Sequence, residues 1–418
     1  MTRALWVPTI WMLHAINKPL GFWFPSSGAD PESGSPLDRA FLTTLMCVAL
    51  WILVRRRVDW SSAMKENRWL IILIVLMLVS VLWSNMPLVS FKRWIREFQA
   101  ILMALVVLSE PSWRQAIESI LRRISYILIP FSVLLIKYFP KFGVLYDRWS
   151  GEMMWIGVAQ QKNGLTSLCL MSAFFLIWSL VGRWQGHKTP VWKYQTHFEI
   201  FLLLVAFWLM GGPRGSLYYS ATSTYALAVG LLIYLGLVLS KKFGFELQAG
   251  VLTTIAAVII IFGLVALFSS GTNLAIFASR AGRDATLKGR TGVWAALLPV
   301  AMQRPILGGG VGGFWTPGTR AAFNISGAHS GYLDILLMLG FVGILLFSFY
   351  YLSSCRKAHR ELSYNFNWGT LWICYLIMTL VLNIAESTMD SFTSSLPAII
   401  LFITVSSTKA LRIGDSSK

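Results

Sequence analysis

The chain has 418 residues, of which 56% are hydrophobic and 13% charged, with a formal net charge of +18. Soluble domains carry about 25% charged residues, so a water-soluble globular fold is excluded and the apolar segments must cross a bilayer as helices or as a closed barrel. The apolar runs are of helix-span length and lack the alternation of barrel strands, so the fold class is all-α and polytopic.

In chain order, residues 5–24 form an aromatic apolar segment broken by Pro8, Asn17, Lys18 and Pro19, a span or a half-inserted helix. A polar turn, D-P-E-S-G-S-P at 30–36, follows. Spans are then expected at about 38–54, 69–83, 94–110, 124–139, 164–182, 197–211, 216–239, 250–268, 331–352, 368–386 and 393–408. That makes 11 to 12 transmembrane helices in a single domain, 1–418, with one large loop at 269–330. No internal repeat and no appended soluble domain are visible, and the first residues lack a cleavable signal peptide.

Lys and Arg set the orientation. With Arg55, Arg56 and Arg57 placed in the cytoplasm, alternation puts 20 of the 36 Lys and Arg there, with both termini. Ten of the remaining cations fall in two outward segments, 137–163 and 269–328. Cytoplasmic loops and anionic lipid headgroups account for the basic balance, so no nucleic-acid partner is expected. The outward cations are a local exception, and an anionic ligand outside the membrane supplies a reason for them.

The outward loop has the chain's most informative residues. It reads G-R-T-G-V-W at 289–294, R-P-I-L-G-G-G-V-G-G-F-W at 304–315 and A-H-S-G-Y-L-D at 328–334. Arg280, Arg283, Lys288, Arg290, Arg304 and Arg320 stand there against one acid, Asp284. His329 heads the helix that follows, where an imidazole is accessible yet held by a rigid element. His187, His197 and His359 lie in or beside cytoplasmic loops, and His14 in the broken first segment. Arg93 and Arg96 stand at the outward start of the span 94–110, beside Glu97. Arg214 sits in G-G-P-R-G-S at 211–216, a glycine-rich break whose freed N–H groups can face an anion. Arginine's planar fork matches phosphate oxygens bidentately.

No metal or cofactor is expected. The one outward i,i+2 acidic pair, Asp30 and Glu32, reads as a solvated turn, and Cys47, Cys169, Cys355 and Cys374 show neither metal-ligand spacing nor a disulfide framework. Glu386 and Asp390 lie at the outward end of the span 368–386, where an acid marks function or simple solvation. The glycines at 308–310 and 312–313 lack a following Lys-Ser/Thr, so they are not a nucleotide loop. They instead let the loop fold close to the membrane surface.

Six stretches together resemble the O-antigen ligase and polymerase family of bacterial envelope enzymes: W-I-G-V-A-Q-Q-K-N-G-L at 155–165, G-P-R-G at 212–215, T-L-K-G-R-T-G-V-W at 286–294, P-I-L-G-G-G-V-G-G-F-W at 305–315, A-H-S-G-Y-L-D-I-L at 328–336 and N-I-A-E-S at 383–387. The resemblance implies a metal-independent inverting glycosyltransferase with a C-type architecture in the bacterial inner membrane. Such an enzyme moves a glycan from undecaprenyl diphosphate to an acceptor sugar hydroxyl on the periplasmic side, the acceptor being a second glycan or lipid A core. The family's key arginines correspond to Arg214 and Arg290, and its essential histidine to His329. Arg93, Arg96, Lys162, Asn163, Arg283 and Glu386 are expected to bind substrate. The chain departs from the family at Gln161, Thr166, Pro213 and Ser330, where His, Gly, Ser and Asn are usual. A lipid-linked glycan flippase would favour pseudo-symmetric halves and a charged midplane cavity, and a structural scaffold would leave the basic loop unexplained.

Overall fold

The computed structural model describes residues 2–24, 35–56, 58–146, 151–186, 190–213, 219–245, 248–268, 290–325 and 327–408. Among them the chain is almost entirely helical. The helices, in order, are α1 (Trp6–Ile16), α2 (Leu20–Trp23), α3 (Pro36–Arg55), α4 (Trp60–Glu66), α5 (Arg68–Val79), α6 (Pro87–Leu108), α7 (Trp113–Tyr138), α8 (Pro140–Gly143), α9 (Lys162–Trp184), α10 (Gln195–Gly211), α11 (Ala221–Lys242), α12 (Ala249–Phe268), α13 (Arg290–Ala301), α14 (Pro317–Phe323), α15 (Gly331–Tyr364), α16 (Phe366–Leu382) and α17 (Ser395–Ser406). A small antiparallel hairpin, β1 (Val144–Tyr146) and β2 (Met153–Trp155), pairs Val144 with Trp155.

The chain is an all-α polytopic membrane protein. Six described helices are each long and apolar enough to cross a bilayer: Pro36–Arg55, Trp113–Tyr138, Lys162–Trp184, Ala221–Lys242, Gly250–Phe268 and Gly331–Tyr364. The pair Trp60–Glu66 and Arg68–Trp83, bent by 85°, makes a seventh if taken together. The other apolar segments read from the sequence are present as helices that are shorter or more polar. α10 and α16 have 17 residues each and α17 has 12. α6 carries Lys92, Arg93, Arg96 and Glu97 in its first half, where Arg93 donates to Gly312 O and the buried Glu97 accepts from Phe392 N.

Burial separates a central layer from a rim. In α9, 78% of the most apolar window is buried, against 28% in α3 and α11. A helix that is apolar all round must be encased or face lipid; α9, α16 and α17 are encased, and α3, α11 and α12 turn much of their surface outward. Local signals fix several starts: Ser35 accepts from Leu37 N with Pro36 at the first helical position, and Asn365 accepts from Trp368 N.

One end of the bundle is tied by ion pairs and buried hydrogen bonds. Arg114 meets Glu361 at 2.6 Å, Arg56 meets Glu110 at 3.0 Å, Glu199 pairs with Arg183, and Lys357 Nζ donates to Asn67 at 2.9 Å. These cations are among those the sequence assigns to the cytoplasmic side. The opposite end holds the glycine-rich loop and a break in α15. At Gly340 the helix is interrupted (φ 65°, ψ −163°), where the sequence suggests a continuous span. The freed carbonyls of Leu337 and Met338 accept from Gly309 N and Gly310 N at 2.9 and 2.8 Å, and Phe341 N and Val342 N donate to Pro305 and Ile306 carbonyls at 2.8 and 3.2 Å. The glycines thus let the loop lie directly on the helix. Gly312 (φ 66°) shows the closeness: a Cβ there would come within 2.2 Å of the Arg93 side chain.

Candidate active site

At the loop end, a cavity of about 550 Å³ is lined by Arg93, Arg96, Asn163, Trp315, Arg320, His329, Asp334, Glu386 and Asp390, with Asn17, Gln161 and others. Segments distant in sequence meet there: the start of α6, the start of α9, α14, the residues before α15, and the turn between α16 and α17.

His329 is held by its neighbours. Its backbone is left-handed (φ 53°), a region in which histidine is commoner than most residues. Ala328 O accepts from Trp294 Nε1 at 3.0 Å, and Ala328 N lies 3.4 Å from Asp334 Oδ1. Gly331 N donates to both the Asn383 and Glu386 carbonyls, at 3.0 and 2.9 Å. The imidazole itself is half-buried and has no hydrogen-bond partner among the described residues. Burial, and then the nearby Arg290 charge, lower its pKa from 6.5, so the ring is neutral near pH 7.

Arg290 opens α13 and stands one side chain behind the cavity wall. Its Nη2 donates to Glu386 Oε1 at 2.7 Å, and its Nη1 lies 3.5 Å from Thr222 Oγ1. Asn163 Nδ2 donates to the other oxygen of Glu386 at 2.6 Å. Glu386 therefore joins α13, α9 and the turn after α16. Burial raises its pKa, opposed chiefly by Arg290. Lys162, next to Asn163, adds positive charge to this carboxylate and places its Nζ 4.9 Å from the Tyr219 ring centroid.

Arg93 Nη1 donates to Gly312 O at 2.9 Å, and Arg96, one turn on, lines the same cavity. Asp390 lies close enough to Arg93 to feel its charge, although burial dominates and raises the carboxyl's pKa. Seven of the sequence-predicted site residues thus gather in or beside one cavity: His329, Arg290, Arg93, Arg96, Lys162, Asn163 and Glu386. Arg214 and Arg283 lie outside the described residues, as do Asp30, Glu32, His187 and the loop stretch 269–289.

Sequence reasoning did not single out Asp334, Trp315 or Thr222. Asp334, five residues past His329, accepts from Trp315 Nε1 at 2.8 Å and from Ser387 Oγ. It locks the His329 segment to the loop and to the α16–α17 turn. A carboxylate on an apolar helix was the available signal. Thr222 gave none.

Fold and site together define a multi-span membrane protein with a cation-rich, partly enclosed cavity at one end, containing a neutral histidine. Residues 200–348 match the family model described as O-antigen ligase. The chain is also similar to the exopolysaccharide production protein ExoQ of Rhizobium meliloti (strain 1021), 22% identical over 298 residues, 66% of this chain and 62% of that protein. The chain thus spans less than two thirds of that relative's length. Both similarities point the same way as the resemblance carried by the chain's motifs. The matched segment contains Arg290, the glycine loop and His329. Asn163 and Glu386, which Arg290 and its partners engage, lie outside it.

Proposed function

We propose that the chain is a metal-independent inverting glycosyltransferase that moves a glycan from undecaprenyl diphosphate to an acceptor sugar hydroxyl, as a polymerase in exopolysaccharide or O-antigen synthesis. The observation that carries this reading is the placement of a neutral imidazole in the same cavity as three guanidiniums, with a fourth, Arg290, anchored behind Glu386. The acceptor oxygen attacks the anomeric carbon from the face opposite the diphosphate. His329 takes the hydroxyl proton as the new C–O bond forms. The old bond to the diphosphate breaks, and its electron pair leaves on the phosphate oxygen. That leaving group departs as an anion and needs cations rather than a proton donor. Arg290 and Arg214 would hold it, with Arg93, Arg96 and Arg283 as further cationic contacts. Lys162, Asn163 and Glu386 would set the arginine's position.

Reconstitution of the full chain with a radiolabelled undecaprenyl-diphosphate oligosaccharide tests the reading. Longer chains on the same lipid are the expected product. Transfer to added lipid A core would make the chain a ligase, and passage of label across the bilayer without bond formation would make it a flippase. Activity is expected to survive excess EDTA. Loss that Mg²⁺ or Mn²⁺ restores would overturn the proposed mechanism.

The cavity is proposed to face the periplasm, with both termini in the cytoplasm. Ala321 is exposed on α14, and the exposed native thiol is Cys47. A cysteine at Ala321, in a Cys47→Ala background, should react with an impermeant maleimide in intact spheroplasts. Labelling of a C-terminal cysteine instead would reverse the orientation.

A further inference from the structure

A second depression lies on the far side of the cavity wall. It has a volume of about 430 Å³ and is lined by Asn85, Gln303, Arg304, Phe314, Phe323 and Leu337, among others. Residues adjacent in the chain line the two. Phe314 faces the second and its neighbour Trp315 the first, with their rings in edge-to-face contact at 5.0 Å between centroids. On α15, Leu337 and Asp334 divide the two spaces in the same way, about one helical turn apart.

The chemistry of this groove is specific. No carboxylate lines it among the described residues. Arg304, which is exposed, makes one side-chain hydrogen bond among the described residues, Nη1 to Asn85 Oδ1 at 3.3 Å, so its charge is not neutralised there. The exposed amide of Gln303 has no described side-chain partner. Beside these groups stand two phenyl rings. A pyranose presents an apolar C–H face and a rim of hydroxyls. Flat apolar walls with a few placed amide and guanidinium groups suit such a ligand. A lipid tail would meet a stranded charge, and a diphosphate would meet one cation where the first cavity offers several.

We infer that this groove is a glycan subsite, holding the sugar residues of a substrate beyond the one that reacts in the first cavity. The inference rests on the transferase reading for its place in the reaction, but binding can be measured without turnover. Oligosaccharides of one and two repeat units, released free of lipid from the host's own surface polysaccharide, are titrated into the full chain in nanodiscs. The two-unit glycan should bind about tenfold tighter, since one hydrogen bond to a charged group supplies that much. At exposed positions and checked by elution as a single species, Arg304→Ala should erase most of that difference and Gln303→Ala part of it. Equal affinities for the two glycans in the unaltered chain, or a difference that both variants retain, would overturn the subsite.

Transfer kinetics then assign its occupant. A length preference that varies with the acceptor at fixed donor places the acceptor glycan there, and one that varies with the donor places the donor's. A chain that binds the longer glycan in this way but forms no glycosidic bond keeps the subsite and loses the transferase reading.

Discussion

His329→Ala should lower transfer by about 10²–10⁴-fold, the usual contribution of a general base, while binding of the lipid diphosphate stays close to that of the unaltered chain. In the proposed mechanism the arginines carry that binding and the imidazole has only a proton to accept. Because the backbone at His329 is left-handed, a region histidine tolerates better than most residues, alanine there adds strain of up to about 1 kcal/mol. His329→Asn, whose side chain tolerates that region, separates strain from chemistry: both variants should lose turnover alike. The pH profile is the second readout. A base works only when unprotonated, so activity falls as pH drops through the histidine's pKa. Burial and Arg290 place that pKa below 6.5, so the fall comes at more acid pH than for a free histidine. If alanine removes binding as fully as turnover, His329 positions substrate. If either variant turns over normally, the assignment is wrong and Asp390, which lines the same cavity, is the next base to test.

Arg290→Ala should abolish nearly all transfer, and Arg290→Lys most of it. Lysine keeps the charge but loses the planar fork. That fork has five N–H donors. Glu386 takes one and Thr222 stands near another, which leaves donors for a diphosphate. Each charge-assisted hydrogen bond lost costs about 1.5–3 kcal/mol, or roughly one to two decades in rate. Removing the arginine also strands a buried carboxylate, so the alanine variant is best compared with Arg290→Ala/Glu386→Gln, in which that stranded charge is gone. If the double variant regains activity, Arg290 serves only to neutralise Glu386. If both remain inactive with weakened lipid-diphosphate binding, the arginine contacts substrate.

Much of this arrangement was legible in the sequence because the physics behind it is local. Hydropathy runs gave the membrane helices, and His329 drew attention as a lone imidazole at a helix start. What escaped was set by distance along the chain. Glu386 was expected to bind substrate or to be merely solvated at a span end, but its partners were not foreseen: it is buried and shared by Arg290 and Asn163, 96 and 223 positions away. No periodicity announces such a pair. Asp334 escaped because its partners, Trp315 and Ser387, come from a loop and a turn. The break at Gly340 escaped because hydropathy averages over a window and cannot register one residue's φ.

That break also assigns the glycine loop a second role. A helix interrupted at membrane depth exposes carbonyls and N–H groups that lipid cannot satisfy, at several kcal/mol each. In water the solvent would satisfy them. Here Pro305, Ile306, Gly309 and Gly310 do so, through four backbone hydrogen bonds. The loop is in effect the solvent of its own helix, and the half of α15 nearest the cavity can end where it does only because another stretch of chain takes the place of water.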